Sequence, residues 1–88
     1  MAKILLVEDD ARIASFVTKG LVAEGHVVDV ATDGLTGMAM AREGEYPLVI
    51  LDRMLPYLDG LEVCRVVRRE RLPATILMLT AKDSIQDK

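Results

Sequence analysis

A chain of 88 residues with a formal net charge of −3 has room for one small domain, and its overall charge attracts neither nucleic acid nor an anionic membrane. Its composition, 51% apolar and 28% charged, suits a globular core under a solvated surface and argues against disorder. The single cysteine, Cys64, excludes an internal disulfide and a thiolate metal cage. The stretch from Met1 to Val7 is too short for a signal peptide or a membrane span, so the cytoplasm is the expected compartment.

In chain order, Ile4 to Val7 is an unbroken apolar run, the pattern of a strand covered on both faces inside an α/β layer structure. Ile13, Phe16, Val17 and Leu21 then recur at helical spacing and predict one apolar stripe, closed by a left-handed cap at Gly25. Val27 to Ala31 predicts a second strand, interrupted by Asp29 and therefore expected at a sheet edge with one face toward solvent. Asp33 can cap a second helix on which Leu35, Met38, Ala39 and Arg42 share a face, with Gly44 ending it. Leu48 to Leu51 is a third buried strand. The Asp59-Gly60 turn precedes a third helix running from Leu61 to Arg69 or so, stopped by Pro73. Ile76 to Leu79 is a fourth strand, and Asp83 or Ser84 would start a further helix that the chain does not complete. Alternating strands and helices imply right-handed crossovers and a doubly wound parallel sheet of the α/β class. No repeat, low-complexity tract or linker divides residues 1–88.

Two of these strands run into acid, the first into Glu8, Asp9 and Asp10 and the third into Asp52. Ligands of open α/β sheets gather beyond the carboxyl ends of the strands, where strand order reverses. A flavodoxin-like order, which the pattern alone does not fix, makes strands one and three neighbours at that point. Glu8, Asp9 and Asp52 then meet. Like charges so close raise one another's pKa values and cost stability unless a cation sits among them. An all-oxygen donor set without histidine or thiolate selects Mg2+, or Mn2+, over zinc, and Mg2+ takes few carboxylates, leaving positions for a phosphate oxygen. A carboxylate beside such an ion can serve as a nucleophile toward phosphorus. The plainer alternative is that Glu8, Asp9 and Asp10 cap the first helix, where its dipole favours acids. That suits Asp10 but gives no reason for Asp52.

Val7-Glu8-Asp9-Asp10 after an apolar strand, Leu51-Asp52-Arg53-Met54-Leu55-Pro56 with Asp59-Gly60, and Leu79-Thr80-Ala81-Lys82 together resemble a known family. In this order and separation they are similar to the receiver domains of two-component response regulators, with wording closest to the OmpR/PhoB type. The resemblance spans the whole chain. It implies a flavodoxin-like receiver fold with strand order 2-1-3-4, the family's fifth strand, last helix and catalytic lysine having no counterpart within residues 1–88. It implies that Asp52 is the phosphoacceptor, and that Glu8, Asp9, Asp52 and the backbone carbonyl of Met54 hold Mg2+, Asp9 directly and Glu8 through water. Thr80 would be the hydroxyl that moves toward the phosphoryl group, and Ala81 the small residue giving it room. The donor would be a sensor histidine kinase. The product is a signalling switch, not an enzyme, with transcription controlled through a DNA-binding domain beyond these residues and no membrane partner. Strand four would be left as an exposed apolar edge, so association of copies or domain swapping is expected.

The remaining residues read more plainly. His26 is expected in a surface turn, and Cys64, among Leu61, Val63 and Val67, as a buried helix thiol. Met38, Met40 and Met78 read as core filler, and Tyr46 and Tyr57 as loop residues beside prolines. Arg65, Arg68, Arg69 and Arg71 interleave with Glu62 and Glu70, as on a solvated helix face. Three other functions compete. A phosphatase of the haloacid-dehalogenase kind places its nucleophile on the first strand and wants a second acid two residues later, where Met54 follows Asp52 here. A dinucleotide-binding half-domain wants a glycine-rich turn after strand one, and none follows. A module that associates with partners without being phosphorylated is opposed by the intact acidic set for the parent protein, but stays open for these 88 residues.

Overall fold

The computed structural model describes residues 2–52, 55 and 59–79, and within them each apolar run of the sequence lies in a strand. The elements are β1 (Lys3–Val7), α1 (Ala11–Ala23), β2 (Val27–Ala31), α2 (Gly34–Glu43), β3 (Leu48–Asp52), α3 (Gly60–Arg69) and β4 (Thr75–Leu79). The sheet has the order β2-β1-β3-β4 and all its pairings are parallel, as the receiver resemblance implied. Side chains alternate between its faces. Leu5, Val7, Val49 and Leu51 point to the side of α2 and α3, where they join Ala31, Ala41, Tyr46, Val63 and Val67. Ile4, Leu6 and Ile50 point the other way, against Ala14 of α1.

Helix α1 starts at Asp10, whose carboxylate accepts the backbone N–H groups of Arg12 and Ile13 at 2.9 and 3.4 Å. It ends as expected at Gly25, with φ +93°, where the N–H groups of Gly25 and His26 return to the carbonyls of Val22 and Leu21. Its inner face differs from the predicted stripe. Ala14 is buried and Val17 and Leu21 pack around it, whereas Ile13 is 44% and Phe16 79% exposed. Small Ala14 faces the sheet and lets the helix lie close to it, with apolar Val17 and Leu21 on either side of that contact.

The same correction applies to α2. Asp33 caps it as expected, accepting from the N–H of Thr36 at 2.7 Å. The buried residues are Gly34, Gly37 and Ala41, while Leu35 is 54% exposed, Ala39 and Arg42 are exposed, and Met38 is half-buried. A Cβ at Gly37 would stand 2.7 Å from Cγ2 of Val7, so helix and strand touch flush and the small face turns inward.

Helix α3 buries Gly60, Val63, Val66 and Val67, with Cys64 only partly covered. Asp59 accepts the N–H of Leu61 at 3.0 Å. The helix stops before Pro73 can act: Arg71 takes φ 56°, and the N–H of Leu72 returns to the carbonyl of Val67 at 3.0 Å. Of the arginines, Arg65 pairs with Glu62 on the exposed face, while Arg42 of α2 grips Glu70 through Nε and Nη2 at 2.8 and 2.5 Å.

Three residues depart from their expected surface roles. Asp29 on edge strand β2 does not face solvent alone; its carboxylate accepts the Tyr46 hydroxyl at 2.6 Å. Tyr46 is buried in the α2–α3 core, and the Lys3 ammonium lies 4.8 Å from its ring centroid, within cation–π range. His26 is half-buried and its Nδ1 accepts the N–H of Ala2 at 3.1 Å, tying down the start of β1. Tyr57 and the helix expected from Asp83 or Ser84 lie outside the described residues. Among the described residues no helix is long and apolar enough to cross a membrane.

Candidate functional site

Strands β1 and β3 are neighbours in register, Val7 opposite Leu51, so both emerge from the sheet at the same height. The next residues after Val7 are Glu8 and Asp9, and the next after Leu51 is Asp52. Carboxylate oxygens of Glu8, Asp9 and Asp52 consequently lie within 4.8 Å of one another. The three differ in depth. Glu8 is 2% exposed, Asp52 half-buried and Asp9 exposed. The Glu8 backbone prolongs the β1–β2 pairing, its N–H donating to the Ala31 carbonyl at 2.9 Å.

Burial is the main reason the Glu8 carboxyl is pushed up from 4.5 to about 7. The Asp10 N–H, donating to Oε2 at 3.1 Å, opposes the rise. The charge of Asp52, its hydrogen bond with Glu8 and the charge of Asp9 add to it. Near neutral pH the trio therefore holds a proton that a cation could replace. The donors are all oxygen, with no histidine or thiolate in the group, and the crowded negative charge calls for a divalent ion. This set fits Mg2+. Asp10 stands apart as the α1 cap, and the N–H groups of Arg12 and Ile13 hold its carboxyl below the usual range.

The structure thus brings together Glu8, Asp9 and Asp52 from the sequence-predicted set. Met54, Thr80 and Ala81 lie outside the described residues. Strand β4 ends beside the trio, with Leu79 opposite Asp52. Sequence reasoning missed that Glu8 is the deep member of the acidic pair. Its signal is position: it is the first residue beyond a strand whose last four residues are all buried.

A family profile described as the response regulator receiver domain matches residues 4–88. The chain is 41% identical over its whole length to the transcriptional regulatory protein PcoR of Escherichia coli, of which it spans 39%. Among solved structures it is similar to the response regulator protein TrrA of Thermotoga maritima in complex with Mg2+ and BeF. That likeness has a TM-score of 0.90 and 34% identity, covering 100% of this chain and 76% of the other. A structure of the histidine kinase ThkA in complex with TrrA matches with a TM-score of 0.85 and 37% identity, covering 92% of this chain and 70% of the other.

Proposed function

Since the chain belongs to the receiver-domain family of two-component response regulators, we propose that it accepts a phosphoryl group on Asp52 from a sensor histidine kinase. The observation that carries this reading is the meeting of three carboxylates at the tips of β1 and β3. An Asp52 oxygen attacks phosphorus, the P–N bond to the donor imidazole breaks, and its electron pair returns to the ring nitrogen. Glu8, Asp9 and Asp52 would hold Mg2+, which when bound neutralises charge on the transferring group. To hold the ion Glu8 would be ionised, and the Asp10 N–H, which donates to its Oε2 at 3.1 Å, would keep that carboxylate oriented. From the receiver resemblance, the Met54 carbonyl is a further ligand, Thr80 the hydroxyl drawn to the phosphoryl oxygens, and Ala81 the residue that leaves space.

The added charge, about −1.5 to −2 units, falls at the edge of a packed core, where it can bias one arrangement of the neighbouring loops over another. The chain works as a phosphorylated switch in the cytoplasm, with no turnover reaction of its own. Its output is transcription through a DNA-binding domain outside these residues. The relationship to PcoR and the TrrA structures with Mg2+ and with a kinase support this reading.

The test is incubation with acetyl phosphate and Mg2+ followed by intact mass. One phosphoryl adduct is expected on the chain and none on Asp52→Asn. An adduct retained by Asp52→Asn removes that residue from the mechanism. No adduct on the 88 residues, nor on a chain extended past Lys88, would make this a binding module that takes no phosphate.

A further inference from the structure

Strand β1 ends at Val7 and α1 begins at Ala11, so Glu8, Asp9 and Asp10 make the whole turn from sheet to helix. The last of them is held firmly. The Asp10 carbonyl accepts the N–H of Ala14 at 2.9 Å, and Ala14 is buried against the sheet. Its carboxylate accepts the N–H groups of Arg12 and Ile13, which fixes the residue in an extended conformation with φ −84° and ψ 113°. Its own N–H then points back along the chain, to Oε2 of Glu8 at 3.1 Å. That N–H belongs to the peptide joining Asp9 to Asp10, and a peptide unit is planar. Turning the plane away from Glu8 changes the backbone of Asp9 as well. Two of the three carboxylates therefore depend on how Asp10 is held.

We propose that Asp10 is a positioning residue for the ion site: its side chain, by capping α1, holds the backbone N–H that aims the Glu8 carboxylate. Asp10 adds no oxygen to the group of Glu8, Asp9 and Asp52, whose donors lie within 4.8 Å of one another. Its carboxylate is turned to the helix and to Arg12, whose Nε lies 3.7 Å away on the exposed surface. The effect runs through geometry, not through charge. A ligand already held in place loses less freedom when an ion enters, which is how groups outside the donor set govern metal affinity. Asp33 makes the same kind of cap on α2, beyond the acidic group, and serves as the control. The proposal rests on the reading that Glu8, Asp9 and Asp52 hold Mg2+.

Titration of the 88-residue chain with Mg2+, followed through the amide resonances of Glu8, Asp9 and Asp52, tests it. Asp10→Asn keeps a capping oxygen and drops the charge; it should bind Mg2+ within about twofold of the unaltered chain, since a surface charge is screened. Asp10→Ala loses the cap and should bind about tenfold more weakly, the low end for loss of a group that orients a ligand. Asp10→Gly, tolerated at a helix start yet without an oxygen to fix the backbone, should fall as far even if Asp10→Ala does not fold. Asp33→Ala should leave the affinity unchanged. Equal weakening in Asp10→Asn and Asp10→Gly would make the charge responsible, and overturns the proposal. So does full affinity in the Ala and Gly variants at position 10, or a matching loss in Asp33→Ala, which would trace the effect to stability alone. If the unaltered chain takes up no Mg2+, the reading of the trio as an ion site fails and this proposal with it. Normal uptake by the chain with indifferent variants sinks the proposal alone.

Discussion

Two inward-turned acids on neighbouring strands, one within edge strand β2 and one just past the end of β1, are treated in opposite ways. Asp29, on the edge strand, receives a fixed neutral donor, the Tyr46 hydroxyl, and the Lys3 ammonium lies over the same ring. Burial, then the Asp29 bond and charge, push the Tyr46 phenol up to about 12, so the donor stays protonated through the physiological range. Glu8, at the strand tips, receives one backbone N–H and two more carboxylates. The first acid is satisfied by the fold and is structural. Among the described residues no cation stands beside Glu8, and that suits it to a mobile ion.

Disturbing the satisfied acid should give the largest effect. Tyr46→Ala removes a buried ring as well as the hydroxyl, and is expected to cost about 3–5 kcal/mol in denaturant unfolding. Next comes the pH response of the other acid. The folded Glu8 carboxyl lies above its ordinary 4.5, so the native state holds its proton more tightly than the unfolded chain does. Without Mg2+, the contribution of this group to stability should be full below pH 4.5 and fall as pH rises toward 7, by an amount on the order of 2 kcal/mol. Glu8→Gln should flatten that slope, and Mg2+ should reverse it, since the ion favours the ionised form. Thermal melts across this range, with and without the ion, read all three.

A finer cut separates the two acids. Tyr46→Phe keeps the ring and loses only the bond to Asp29; it should cost about 1 kcal/mol and leave the Mg2+ response untouched. Loss of that response would mean that the two acids are coupled. The smallest effect concerns helix ends that differ as the acids do. Gly25 takes a left-handed turn without strain, whereas Arg71 adopts φ 56° with a side chain attached. Arg71→Gly should stabilise the chain by about 0.5–1 kcal/mol, measured as a rise in unfolding midpoint.

The acidic trio was legible because carboxylates directly follow apolar runs, and such runs end at the same edge of a parallel sheet. The caps at Asp10, Asp33 and Gly25 were legible because they act within a few residues. Helix rotation was not. Periodicity places Ile13 and Phe16 on a stripe with Val17 and Leu21, but the sheet selected Ala14, since contact distance counts as well as hydrophobicity. On α2 the same preference brought Gly34 and Gly37 inward and left Leu35 outside. Tyr46 was opaque for a different reason: its partner, Asp29, lies 17 residues away, across a topology that no local pattern encodes. Strand order came from the family resemblance, not from the pattern of residues.

The flush contact between Gly37 and Val7 reaches further than its size suggests. Val7 is the last residue of β1, and Glu8 and Asp9 hang directly from it. A methyl group at position 37 would act as a wedge beneath that strand tip, tilting two of the three oxygen donors away from Asp52. A survey of substitutions scored on ion affinity should therefore flag a helix glycine that has no polar chemistry, beside the acids that do.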